Sequence, residues 1–145
     1  MTDLVHASHR LQVETRGKGF TELTDELRRW LGSIAAEDGL LTVFVSHTSA
    51  SLIIQENADP NVRLDLLEAL ETLAPEERAY AHNEEGPDDM PSHIKAMLTS
   101  VSLGIPVLGG SMVLGTWQGV YLIEHRTAAH RRNVTLSYLG RVATA

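Results

Sequence analysis

The chain contains no cysteine. That excludes disulfides, thiolate metal sites and a cysteine nucleophile, so any metal must be held by imidazole, carboxylate, carbonyl or water. Long apolar runs are missing too: no stretch approaches the roughly 20 residues that a membrane-spanning helix needs. The opening MTDLVHASHRLQVETRGKG has no apolar segment suited to a signal peptide. The expectation is a soluble, cytoplasmic protein with no membrane partner. Positive charge is scarce. Lys and Arg number 12 against 19 Asp and Glu, a net charge of −7 at pH 7. This argues against a nucleic-acid binder but leaves room for a local basic patch around a small phosphate. GxSxG, HExxH and HxH are all absent, so no nucleophile elbow or compact metal motif is present. Repeats, low-complexity tracts and long linkers are absent as well. The 145 residues fit one domain, residues 1–145, long enough to bury a sizeable core.

What is present alternates. SHRLQVETRG places Leu11, Val13 and Thr15 on one side and Arg10, Gln12, Glu14 and Arg16 on the other, the pattern of a half-buried strand. Beyond the GKG break, Leu23, Leu27, Trp30, Leu31 and Ile34 recur at helical spacing, with Thr21 as the expected N-cap and Gly39 just past the helix end. LLTVFVSHTSASLIIQEN is too long for one typical strand and reads as two, 40–47 and 50–56, bent near HTSA. Asp59 followed by Pro60 opens a second helix. Its inner face is expected to be Val62, Leu66, Ala69, Leu70 and Leu73, with Pro75 marking its end. A short helix is expected from Pro91 through SHIKAMLTS, with His93 in its first turn. The C-terminal third reads as about three strands. The expected fold class is α+β, mostly antiparallel sheets packed as a sandwich with two or three helices. So many strands exceed what one small open sheet buries well, so an oligomer is expected.

The stretch HNEEGPDDMPSHIK sets His82, His93 and Lys95 among Glu84, Glu85, Asp88 and Asp89. Solvated surface rarely needs imidazoles and carboxylates at this density. His47 and His125 close apolar runs, so folding could bring them to the same place, and neutral imidazole is the commonest metal ligand. The candidate ligand set is therefore His47, His82, His93 and His125. Glu85, Asp88, Asp89 and Glu124 would orient these rings or bind a hard cation directly. The implied cofactor is a divalent metal, with zinc and magnesium the leading candidates. The bland alternative is acids at a helix start and separately hydrogen-bonded histidines, which is how His6, His9 and His130 read. Lys95 and Arg126 are placed to reach phosphate oxygens, or to pair with the neighbouring acids. Thr48 and Ser49 could cradle an oxyanion or bond the backbone; Asn57 and Asp59 serve the helix start first and a ligand second. In GTWQG, Trp117 is a core residue or a stacking wall. Gln118 reads a ring edge or satisfies a turn.

The strings HTSASL, QENADP, EGPDDMPSHIK, GTWQG and EHR, in this order, resemble the YjbQ-like family, also called secondary thiamine-phosphate synthases. The match runs from the first strand to the last. The resemblance implies a compact sandwich, a homotrimer, and a metal-binding pocket near a subunit boundary, formed by His47, His82, His93 and His125 with Glu85, Asp88 and Asp89 beside them. It also implies a weak transferase activity that joins a pyrimidine methyl diphosphate to a thiazole phosphate and releases pyrophosphate. Lys95 and Arg126 would then steady the leaving group, with Trp117 stacked on the pyrimidine and Gln118 at its edge. The partner would be a small phosphorylated molecule. Two other functions compete: a metal-dependent hydrolase of an unknown substrate, and a non-catalytic metal- or ligand-binding trimer.

Overall fold

Alternation along the strands builds two antiparallel sheets around one core. The computed structural model describes residues 3–144. In chain order the elements are β1 (Val5–Glu14), β2 (Gly19–Glu22), α1 (Thr24–Ser33), β3 (Ala36–Val45), β4 (Ala50–Glu56), α2 (Pro60–Leu73), α3 (Asp89–Leu98), β5 (Ser102–Leu108), β6 (Ser111–Met112), β7 (Gln118–Glu124) and β8 (Arg131–Val142). The larger sheet runs β1-β8-β3-β5-β6 and the smaller β2-β7-β4. Leu41, Val43 and Val45 of β3 and Val134, Leu136 and Tyr138 of β8 point into the core. There they meet Leu52 of β4, Val120 and Leu122 of β7, and Leu27 and Leu31 of α1. Burying each such aliphatic side chain contributes about 1.5–3 kcal/mol. No helix among the described residues is long and apolar enough to cross a membrane.

Several boundaries differ from expectation. Thr21 lies in β2, and α1 begins at Thr24, whose hydroxyl donates to Glu22 Oε2 at 2.8 Å and accepts from the Val120 amide at 2.9 Å. That hydroxyl ties the helix start to β7, so the start follows a tertiary contact instead of a local cap. Gly39 does not close α1; it lies in β3, paired with Val107 and Gly140. A Cβ there would stand 2.6 Å from the Leu139 carbonyl oxygen, so the residue permits close approach of β3 and β8. Asp59 does cap α2: its Oδ1 accepts from the Asn61 amide at 2.9 Å. The expected inner face of α2 needs correction. None of its residues is fully buried, Ala69 is exposed and Leu73 is 64% exposed. Polar contacts anchor the helix instead: Arg63 donates to the Tyr121 hydroxyl at 3.0 Å, and Glu71 pairs with Lys18 and Lys95. The last third holds four strands, β6 being only two residues long.

Candidate metal centre

The first turns of α3 place Asp89 and His93 on one face, four residues apart. Gly86, at φ 104°, turns the preceding loop, and the same loop brings in His82. His82 Nε2 lies 2.7 Å from Asp89 Oδ2, and His93 Nε2 lies 3.1 Å from the same oxygen. The two rings are 5.6 Å apart, tilted by 57°. One ligand atom from each of the three residues lies within 4.8 Å of the other two. Ligands of one tetrahedral zinc, at about 2.0–2.1 Å each, stand roughly 3.4 Å apart, so these separations fit a single ion after small adjustments.

The remaining polar atoms of these residues are tied to the protein. Asp89 Oδ1 accepts from Arg126 Nη1 at 2.8 Å. Arg126 also donates through Nε to Asp88 Oδ2 and through Nη2 to the Glu85 carbonyl, each at 2.9 Å. The Thr127 amide donates to Asp88 Oδ2 at 2.9 Å. His93 Nδ1 donates to the Thr48 carbonyl at 3.0 Å. With Nδ1 committed to Thr48, His93 turns its Nε2 onto a carboxylate oxygen, and His82 brings a second ring nitrogen to that oxygen. Three electron-rich atoms meeting in this way need a proton or a cation between them. The electrostatics agree. Burial alone would raise the Asp89 carboxyl, but the His82 bond, helped by the nearby Arg126 guanidinium, holds it below the usual range. The bond to Asp89 raises His82 above an ordinary imidazole. Asp88 is held low against its burial, chiefly by Arg126.

Glu85 and Thr48 join this cluster, the Glu85 carboxylate at 3.1 Å from His82 Nε2. His47 stands in the adjoining groove of about 580 Å³, with Thr48, His93, Ala96, Met97 and Val101 among its walls. Its Nε2 accepts from the Asn133 amide at 2.8 Å. Burial, then the Arg132 charge, lowers its pKa. His125 is inside the protein, 1% exposed, with Nε2 2.8 Å from the hydroxyl of the equally buried Ser51. Burial, then the charge of Lys95, pushes its pKa down to about 4. Glu124, also buried, is bound by both Nε and Nη2 of Arg132 and by the Thr15 hydroxyl. Ser49 Oγ accepts from Arg132 at 3.0 Å. Lys95 is 2% exposed and paired with Glu71. Both cations considered for phosphate, Lys95 and Arg126, are thus engaged by acids.

The GTWQG segment is not near this cluster. β4 and β7 pair from Ala50 with Glu124 at one end to Glu56 with Gln118 at the other, about 20 Å along the strands. Trp117, 63% exposed, and Gln118, whose Oε1 accepts from the Gly115 amide at 2.7 Å, occupy the far end. Asn57 and Asp59 lie at that end too, Asn57 reaching Glu22 at 3.4 Å. Sequence reasoning passed over Glu71 and Arg132. Arg132 was detectable, since it alternates with Val134, Leu136 and Tyr138 on the inward face of β8, and a charge there requires a buried partner.

Residues 9–141 match the family profile described as UPF0047 protein YjbQ-like. A UPF0047 protein of Synechocystis sp. is 47% identical over 91% of this chain and 90% of its own. The UPF0047 protein YjbQ of Salmonella typhimurium is 42% identical over 90% of this chain and 95% of its own. Among solved structures, a conserved YjbQ/UPF0047 protein of Clostridium acetobutylicum is 32% identical with a TM-score of 0.79, covering 90% of this chain and 97% of its own. A protein of Sulfolobus solfataricus, described as of unknown function, shares the fold with a TM-score of 0.89 at 21% identity, over 96% of this chain and 100% of its own. These findings overturn the thiamine-phosphate synthase expectation. The family is described only as UPF0047 and the Sulfolobus protein as of unknown function, so neither supports such an activity. The two antiparallel sheets are also not the parallel (β/α)8 barrel of a barrel-type thiamine-phosphate synthase.

Proposed function

The chain belongs to the YjbQ-like UPF0047 family, and on that premise we propose that it is a divalent-metal-binding protein whose ion is held by His82, Asp89 and His93, at the mouth of a groove that accepts a small molecule. The observation that carries this reading is the meeting of three ligand atoms at Asp89 Oδ2, with the other polar atoms of Asp89 and His93 already committed to Arg126 and Thr48. Two imidazoles and one carboxylate suit zinc or another borderline cation better than magnesium, which prefers an all-oxygen shell. Three protein ligands leave coordination positions open, as in zinc sites that act on substrates. A bound ion of this kind supplies Lewis acidity, polarising a ligand oxygen or acidifying a bound water. The protein's own part is positional: Arg126 fixes Asp89, the Thr48 carbonyl fixes the His93 ring, and the groove walls receive the rest of the ligand.

Self-association into a homotrimer belongs to the same proposal. Leu40 and Leu139 are register partners on the larger sheet, 46% and 54% exposed. An apolar sheet face of this kind favours pairing with further copies. A light-scattering mass of three 15.9 kDa chains is expected, and a monomeric mass would remove this part.

The metal reading is tested by zinc titration against a competing chelator. One zinc per chain is expected. His82→Ala, Asp89→Asn and His93→Ala should each weaken binding by at least about 100-fold in folded protein, more than loss of an orienting group does. Unchanged affinity in all three would overturn it.

A further inference from the structure

His47 and His93 open onto the same groove, yet the backbone fixes their rings in opposite senses. His93 donates from Nδ1 to the Thr48 carbonyl, which leaves its Nε2 lone pair for a cation. His47 does the reverse. Its Nε2 faces the Asn133 amide at 2.8 Å. A backbone N–H can only donate, so this Nε2 carries the lone pair and the ring proton sits on Nδ1. Nδ1 of His47 has no protein partner among the described residues. The ring thus brings one unused N–H donor to the groove, and its lone pair is consumed by β8.

The surroundings suit an oxygen acceptor attached to an apolar body. Burial and the Arg132 charge both disfavour the charged form of the His47 ring. Ala96, Met97 and Val101 line the groove beside it, Met97 at 77% and Val101 at 38% exposure. A second groove of about 530 Å³ shares His47, Thr48 and Val101 and adds Phe44, extending the apolar wall. We propose that His47 is a fixed, neutral N–H donor that binds the carbonyl or carboxylate oxygen of a small ligand with an apolar tail, and that it is not a ligand of the metal. This assignment rests on the metal reading for the second contact to the ligand head. A neutral imidazole held as a donor can polarise a carbonyl without giving up its proton, which suits a site where negative charge develops on oxygen.

The first test is the tautomer of His47, read from nitrogen-15 imidazole correlations in the metal-free chain and again after zinc is added. An Nδ1–H ring in both is expected. An Nε2–H ring, or zinc coordination by His47, would overturn the assignment. The second test titrates the zinc-loaded protein with hexanoate, with acetate as the control lacking a tail. Hexanoate should bind more tightly and shift the Met97 methyl signal. His47→Ala should weaken hexanoate about tenfold, in line with loss of one hydrogen bond to a charged group, with zinc affinity within about twofold. His47→Asn, which returns an N–H near the Nδ1 position, should recover most of the loss. Hexanoate binding that ignores His47→Ala, or no binding at all, defeats the proposal. Failure of the wild-type chain to take up zinc would instead defeat the metal reading, and the metal-free tautomer would still be decided.

Discussion

Arg126 holds Asp89 by one oxygen only: Nη1 lies 2.8 Å from Oδ1, while Oδ2 is left to His82 at 2.7 Å and His93 at 3.1 Å. A single carboxylate is thereby split between a structural task and a ligand task. Arg126→Ala should free Asp89 to rotate and lower zinc affinity by about 10–100-fold, the usual cost of losing an orienting partner. Arg126→Lys should recover little, because an ammonium cannot span Asp88, Asp89 and the Glu85 carbonyl as the planar fork does. Chelator competition measures both. Unchanged affinity in folded Arg126→Ala would mean that Asp89 needs no such support.

The buried His125 gives stability a defined pH dependence. Its folded pKa is lowered to about 4 from 6.5. The unfolded chain therefore takes up a proton between these values and the folded chain does not, so stability is full above about pH 6.5 and declines as pH falls toward 4. The contribution is on the order of 3 kcal/mol over the whole window. Urea unfolding from pH 6.5 to 5, where most carboxylates are still ionised, should show this slope. His125→Gln, whose amide can keep a hydrogen bond to Ser51, should flatten it.

Lys95 and Glu71 join α3 to α2, the lysine side chain 3% exposed and the glutamate 41%. Removing the acid leaves a buried cation without its partner. Glu71→Gln should cost about 2 kcal/mol, below the usual figure for a fully buried pair because Glu71 is half in solvent. Lys95→Met replaces the charge with apolar volume and should stay within about 1 kcal/mol of wild type. Denaturant midpoints compare the two, and the reverse order would show that the ion pair stabilises the fold outright.

Trp117 tests the separation of the two ends of the smaller sheet. With about 20 Å of strand between GTWQG and the Ala50–Glu124 end, Trp117→Ala should leave zinc affinity within about twofold of wild type. A large loss would place Trp117 within reach of the metal cluster.

Much of this arrangement was legible in the residues, unevenly so. Strand alternation in β1 and β8 and the Asp59–Pro60 start of α2 are local patterns, and they survive folding because nothing opposes them. His82, Asp89 and His93 are near in sequence, and one glycine turn and one helix turn suffice to gather them. What depends on distant partners was not readable. The apolar ends of β3 and β7 pointed to His47 and His125 joining the cluster, but register sends His125 inward to Ser51 and leaves His47 bound to β8. Thr24 starts α1 through a bond to β7, a contact 96 residues away. Ala69 and Leu73 share the period of the half-buried Val62 and Leu66, yet no layer covers them there.

The most direct measurement is anomalous diffraction from zinc-loaded crystals, collected on both sides of the zinc absorption edge. The expected result is one strong peak per chain, within bonding distance of His82 Nε2, His93 Nε2 and an oxygen of Asp89, with His47 and His125 outside its coordination sphere. A peak held by His47 or His125, or zinc scattered over surface carboxylates with none between His82 and His93, would contradict it.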